Sequence, residues 1–547
     1  MRSNLAELWL RFITQSAAIP PPRAATGDKL ALDLYSYIVA NLRKEFELPR
    51  YRLLSGSRWT LVLSIALATA DNFADPDLWM HLLTGNAILR TGHIPRFDTY
   101  SYSAAGMPWR NHEWLAQVAL AVAYAHLGVF GLKLLKLLCA SVTVLALAIG
   151  ISATRASSRI QRLTLIFAAV AIAPQMQFRP QLFTFMMLSI VMASIAIEVY
   201  RGGATLWPLI PMFALWANLH GGYTIGLGAM ILAAAVLFIQ GLGDTGRMAS
   251  AGRLGLVTLG CAGATILNPF GLGLWTGVAH SVSDPLIRNI VNDWVPLPET
   301  LLIMWRESRP DLLQYVVPIL LFAGFIAAVA MAPGLGDAAL IAVAAIFIGG
   351  AFYATRNVAL AMIALAIPFA RHATAALEPA PAAPFGPAEP PPALLAISAL
   401  LIALLGGTFS TRLKTWDPMP AGAVAFMERR GLHGNILNQY EWGPYLAWHV
   451  GNDSRLFIDP RCELVYPDRL IRQYATFFYG FEGADTVLDA FPHDFVLIGP
   501  RTKGYEVVSK DRRWRLIYSD ATAALFARAA LPIAPPLDNQ AAATYFP

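Results

Sequence analysis

At 547 residues, with 56% apolar and only 14% charged side chains and a mean hydropathy of +0.50, the chain is too apolar to be disordered or to fold as an ordinary soluble enzyme. Its net charge of +6 lies entirely in residues 1–409, which carry 26 Lys and Arg against 20 Asp and Glu, whereas residues 410–547 carry 15 of each. Basic residues scattered between apolar runs are the loop bias of a membrane protein, so the pI near 9.2 implies no nucleic-acid partner.

Residues 1–57 read as a cytoplasmic N-terminal segment with a surface helix, because Glu7 and Arg11 interrupt the apolar stretch that a cleaved signal would need. A bilayer crossing takes about 20 mostly apolar residues. The expected spans are 58–73, 130–152, 161–177, 181–199, 206–219, 222–242, 254–268, 312–331, 336–354, 357–371 and 392–409, about eleven in all. Arg43, Lys44, Arg50, Arg52 and Arg58 precede the first, Arg155, Arg159 and Arg162 separate the second and third, and Arg247 and Arg253 separate the sixth and seventh. Such loops stay in the cytoplasm. With an odd number of spans, the C-terminal domain is expected in the periplasm of a bacterium whose inner membrane holds the bundle among its lipids. The stretch 375–392 reads as a proline-rich cytoplasmic linker. Cys139 and Cys261 fall in apolar runs and Cys462 is alone in the C-terminal region, so neither a disulfide framework nor a thiolate metal site is implied.

This topology collects polar residues on the outer face. The first outer loop, 74–113, contributes Asp75, Asp77, His81, Asn111, His112 and Glu113; later turns add Arg179, Gln181, His220, Asn268, Arg288, Asp293 and Arg356. Polar residues at span ends commonly serve only as interfacial anchors or in turns, but carboxylates, imidazoles and arginines converging on one face suit a reactive site. Asp75 before Pro76 is a good helix cap. Alternatively, Asp75 or Asp77 acts as a general base, or the pair holds a divalent cation, magnesium or manganese, since carboxylate oxygens suit hard ions. The helix over 77–90, with Leu78, Leu82 and Leu89 apolar and Trp79 and Leu83 four apart, is expected to lie along the membrane surface. Glu113 offers another carboxylate beside His112; neighbours on a helix point about 100° apart, so the two need not face one site.

Asp75-Pro-Asp77 just outside the first span, the amphipathic loop with Trp79 and His81, and the size of the bundle resemble polytopic glycosyltransferases of the GT-C fold, which use sugars carried on polyprenyl phosphates. The segments 178–183, 215–223, 268–271 and 356–357 are similar to those of uncharacterised bacterial multispan proteins grouped with that superfamily. The resemblance implies a polyprenyl-phosphate sugar donor, a glycan, lipid or protein acceptor, a base or metal role for Asp75 or Asp77, and Arg179, Arg288 or Arg356 as ligands of the lipid phosphate. Arginine's planar fork suits phosphate independently of the resemblance. The segment Asn438-Gln-Tyr-Glu-Trp-Gly-Pro-Tyr445 is similar in placement to the Trp-Trp-Asp-Tyr-Gly segment of oligosaccharyltransferase catalytic subunits, but lacks its paired tryptophans and its aspartate, so asparagine-linked transfer is not implied.

Residues 410–547 alternate helical signals (422–430, 443–450, 466–478) with strand signals (435–438, 455–458, 495–498, 515–519, 523–527), the pattern of a small α/β domain. Asp459 and Arg461 follow a strand end, where open α/β sheets place ligands, or else form an internal salt bridge. If the domain caps the outer face, Tyr440, Trp442 and Tyr445 offer aromatic surfaces to a sugar; buried core is the other fate of such residues. The fold expected is thus a polytopic α-helical membrane bundle with a C-terminal α/β domain, and the function an outer-face glycosyltransferase. A lipid or glycan transporter and a noncatalytic envelope assembly protein are the alternatives. Transport predicts charges deep within spans and paired half-repeats, whereas most charges here cluster at one face and no internal repeat is seen.

Overall fold

The computed structural model describes residues 58–70, 72–276, 294–307, 310–378, 412–415, 418–451, 453–531 and 546. The expected N-terminal segment, the span at 392–409, most of the linker, Arg288 and Asp293 lie outside the described residues. Helix α1 (Arg58–Ala68) leads through β1 (Phe73–Ala74) to α2 (Asp77–Thr91), followed by α3 (Trp114–Ala153), α4 (Ser158–Ile172), α5 (Gln181–Arg201), α6 (Leu209–Leu219), α7 (Tyr223–Gly241) and α8 (Thr245–Ala264). Then come α9 (Leu297–Arg306), α10 (Val316–Met331), α11 (Ala338–Tyr353) and α12 (Val358–Leu377).

Every expected span among the described residues coincides with a helix. Five segments are long and apolar enough to cross a membrane: α3, α5, α7, Leu312–Met331 and Thr355–Leu377; α6, α11 and Trp59–Ala68 are apolar but shorter. Helix α12 is enclosed by its neighbours, packing against α3, α4, α5, α10 and α11. The outer helices leave Ile231, Phe238, Leu256, Leu259, Leu320 and Ile346 exposed, as lipid-facing surface requires. Helix α3 breaks at Gly128, whose φ of 60° and ψ of −145° are open essentially to glycine alone, so residues 114–127 leave the direction of the rest of the helix.

The C-terminal region adds β2 (Lys414–Thr415), α13 (Ala421–Arg430), β3 (Asn435–Asn438), α14 (Gly443–His449), β4 (Arg455–Leu456), α15 (Asp468–Tyr479), α16 (Thr486–Ala490), β5 (Phe495–Ile498), α17 (Lys503–Lys510), β6 (Trp514–Ser519) and β7 (Ala524–Arg528). The sheet order is β4-β3-β5-β7-β6, with β4, β3 and β5 parallel and β7 antiparallel to both its neighbours. The α/β pattern read from the sequence is present, although the run at 455–458 forms a strand of only two residues.

The first outer loop and this domain fold together. Strand β1 pairs with β2. Tyr102 N–H donates to the Leu456 carbonyl at 3.0 Å and Leu456 N–H to the Tyr100 carbonyl at 3.1 Å, extending the edge at β4. The apolar face of α2 packs on protein: Leu78, Trp79 and Leu82 are fully buried in a core shared with α13, α14 and one face of the sheet. Trp79 meets Tyr445 edge to face at 5.2 Å. The apolar stripe that could face lipid faces protein instead, because the domain supplies a matching apolar surface.

Candidate active site

The turns at one end of the bundle line a cavity of about 580 Å³, and the C-terminal domain forms part of its wall. Of the residues predicted for the site, it brings together Asp75, Asp77, His81, His112, Glu113, Arg179, His220, Arg356, Asp459 and Arg461. Trp442 and Tyr445 are not part of it, which corrects the expectation that they present surfaces to a sugar. The face of the turn Tyr440–Trp442 and of α14 that reaches the cavity carries Tyr440, Glu441 and Pro444, while Trp442 and Tyr445 are buried in the core shared with α2. The Trp442 indole N–H donates to the Pro418 carbonyl at 3.2 Å.

Asp75 holds the start of α2 and pairs with an arginine. One carboxylate oxygen accepts the Asp77 N–H at 2.9 Å, capping α2, and the other lies 3.3 Å from Arg179 Nη1. Arg179 Nη2 donates to Asp77 at 2.5 Å. Arg179 stands in the short turn before α5, where Pro180 opens the helix. The two aspartates are thus bridged by a guanidinium. Among the described residues no group of three His, Cys, Asp or Glu side chains is placed to hold a metal ion. The aspartate pair as placed does not fit the expected magnesium or manganese ion, because Arg179 already takes one oxygen of each.

Glu113 is different. It sits directly before α3, and its Oε1 lies 3.6 Å from His220 Nε2 and 3.8 Å from His112 Nε2. Burial raises its pKa above the usual carboxylate range, against the pull of His81 and Arg179. The hydrogen-bond network assigns the tautomer of His220. Trp216 Nε1 donates to Thr184 Oγ1 at 2.9 Å, which leaves the Thr184 proton for His220 Nδ1 at 2.8 Å, and Gly222 N–H donates to the same nitrogen at 3.0 Å. With two donors at Nδ1, the neutral ring carries its proton on Nε2, the nitrogen nearest Glu113. Burial pushes the His220 pKa well down, with His112 and Arg356 reinforcing it, so the neutral form prevails. Burial also lowers the pKa of His81, whose Nδ1 has no hydrogen-bond partner among the described residues.

Arg356 lies in the turn between α11 and α12, anchored by Gln175, which donates to the Thr355 carbonyl at 2.8 Å and accepts from Ala359 N–H at 3.0 Å. Its guanidinium stacks on Trp294 with 4.8 Å to the ring centroid, a contact that uses the plane rather than the N–H edge. Sequence reading missed Thr184, Trp216, Asp98 and Glu441. His220 and Trp216 share the segment Trp216-Ala-Asn-Leu-His220, but Thr184 lies inside an apolar span with nothing to distinguish it.

No protein-family model matches the chain, and no curated protein matches it. Among solved structures, the mycobacterial arabinofuranosyltransferase AftD is similar with a TM-score of 0.47 at 14% identity over 86% of this chain, which spans 41% of the AftD chain. ArnT from Cupriavidus metallidurans, bound to undecaprenyl phosphate, is similar with a TM-score of 0.35 at 12% identity, over 87% of this chain and 98% of its own.

Proposed function

We propose that the chain is an integral membrane glycosyltransferase that moves a sugar from a polyprenyl-phosphate-linked donor to an acceptor hydroxyl on the periplasmic face of a bacterial inner membrane. The observation that carries this reading is one cavity, at the end of an apolar bundle, in which a buried carboxylate of raised basicity, a neutral imidazole of fixed tautomer and an arginine held on a tryptophan stand together. Glu113 accepts the acceptor's hydroxyl proton as its oxygen attacks the anomeric carbon. The bond from that carbon to the lipid phosphate breaks, and the phosphate leaves with the bonding pair, its charge met by Arg356. Asp75 and Asp77 share the charge of Arg179. They order the turn before α5 against the start of α2. No step needs a metal ion.

The test is transfer from polyprenyl-phosphate-linked hexoses and pentoses by the full chain in membranes. Glu113→Gln is expected to lower kcat by about 10² to 10⁴, the usual worth of a general base, while Asp75→Asn and Asp77→Asn keep measurable transfer at normal protein levels. Full activity of Glu113→Gln would remove this mechanism, and full loss in either aspartate variant would return the base to the outer-loop Asp.

A further inference from the structure

Where the C-terminal domain meets the cavity, Arg461 is nine-tenths buried yet incompletely bonded. Its Nε and Nη2 donate to Asp459 at 2.8 and 2.6 Å, and Nη2 also lies 2.7 Å from Asp98 of the first outer loop. Tyr100 and Trp109 lie against the guanidinium plane, with 5.0 and 4.8 Å to their centroids. Asp459 accepts in addition from Arg461 N–H at 3.0 Å and from the Tyr466 hydroxyl at 2.7 Å. Nη1 alone is buried with no hydrogen-bond partner among the described residues. The next residue, Cys462, has a φ of 28°, an unfavourable value for a side chain with a Cβ, so backbone strain is spent where this guanidinium is placed.

Charge arithmetic limits what that nitrogen can bind. One guanidinium and two carboxylates sum to −1, so a phosphate or carboxylate is repelled even though an N–H donor is on offer. Glu441 also lines the cavity and adds an acceptor. A hydroxyl accepts from the donor and donates to a neighbouring acceptor at once, whereas a peptide carbonyl only accepts. We infer that Arg461 Nη1 marks a subsite for the hydroxyls of a neutral sugar, so that the glycan entering beneath the C-terminal domain is uncharged. This inference rests on the glycosyl-transfer reading and names the substrate class of that site.

The experiment uses the full chain in lipid nanodiscs, with saturation-transfer NMR against the methyl glycosides of mannose, glucose and arabinofuranose, glucose 6-phosphate, glucuronate and trialanine. Undecaprenyl phosphate binding is measured separately by native mass spectrometry. At least one neutral glycoside is expected to bind at least tenfold more tightly than either anion or the peptide. Arg461→Lys should weaken it at least tenfold while changing undecaprenyl phosphate binding less than twofold. Asp98→Asn, which removes one negative charge, should improve glucose 6-phosphate binding severalfold and serves if Arg461→Lys does not fold. Binding of an anion or of trialanine as tight as that of the glycosides, failure of every glycoside to bind, or an unaffected and folded Arg461→Lys would each overturn the subsite. Glycoside binding without undecaprenyl phosphate binding would instead sink the lipid-donor reading and leave the subsite standing.

Discussion

Burial favours the neutral form of both Glu113 and His220. Burial raises the pKa of the carboxylate, so it is protonated and inactive as a base up to a higher pH than an exposed carboxylate would be. The acid limb of kcat/KM should therefore lie above the usual carboxylate range, and an acid limb at an ordinary Asp or Glu value would point to another base. Thr184 acts through His220. Removing its hydroxyl leaves the Trp216 indole N–H without its acceptor and His220 Nδ1 with one donor fewer, and an unsatisfied buried group costs about 1–3 kcal/mol. Thr184→Val should lower kcat/KM about tenfold to a hundredfold and shift the pH profile, while Thr184→Ser restores both. A purely structural threonine would change the melting temperature and leave the profile in place.

At the scale of elements, the placement of α2 matters most, because it sets Asp77 and His81 against Glu113. Gly85 lets α2 approach α3: a Cβ there would lie 2.2 Å from the Gln117 carbonyl oxygen. Alanine is the better helix former by about 1 kcal/mol, but overpacking costs about 1–3 kcal/mol, and the obstacle is backbone that cannot rotate away. Gly85→Ala is thus expected to lower the melting temperature and transfer activity together; a stabilised variant would show that α2 and α3 can separate without loss. Nothing in the sequence marks this contact, since a glycine within a helical pattern is uninformative until its neighbour is known. The shared core was equally illegible. The stripe Leu78, Leu82 and Leu89 fits lipid and protein alike, and only the docked domain decides that Leu78 and Leu82 are buried while Leu89 stays exposed.

The whole molecule is polarised. Opposite the cavity, Arg201 donates to the Ser152 carbonyl at 2.8 Å and Arg371 to the Thr154 carbonyl at 3.0 Å, tying span ends together beside the arginine-rich loop after α3. If that end is cytoplasmic, alkaline phosphatase fused at the C-terminus should be active and a fluorescent protein there dark; the reverse pattern would invert the topology. The attachment of the outer loop to the domain also predicts a pH response. His493 Nε2 donates to the Val487 carbonyl at 2.8 Å, and its Nδ1 is bonded by the Tyr102 hydroxyl. Burial pushes the His493 pKa down to about 4. Unfolded histidine titrates near about 6.5. Between these values the unfolded chain binds a proton that the folded chain refuses, so stability falls as pH drops from about 6.5 towards about 4, by on the order of 3 kcal/mol. His493→Gln should flatten that slope in melting curves of the full chain, and an unchanged slope would place the titration elsewhere.

Local rules sufficed for the positions of the described helices and the α/β alternation, because periodicity and hydropathy are properties of neighbouring residues. They also put Asp75, Arg179, His220 and Arg356 at one end of the bundle, since successive spans deliver their ends to alternate sides. Partners were another matter. Whether Asp75 answers to a metal or to Arg179, whether Trp442 faces a sugar or a core, and which nitrogen of His220 holds the proton all depend on residues far away in the chain. Hydrogen bonds and packing are decided over a few ångströms in space, and only the tertiary structure brings Thr184 to His220 and Asp98 to Arg461.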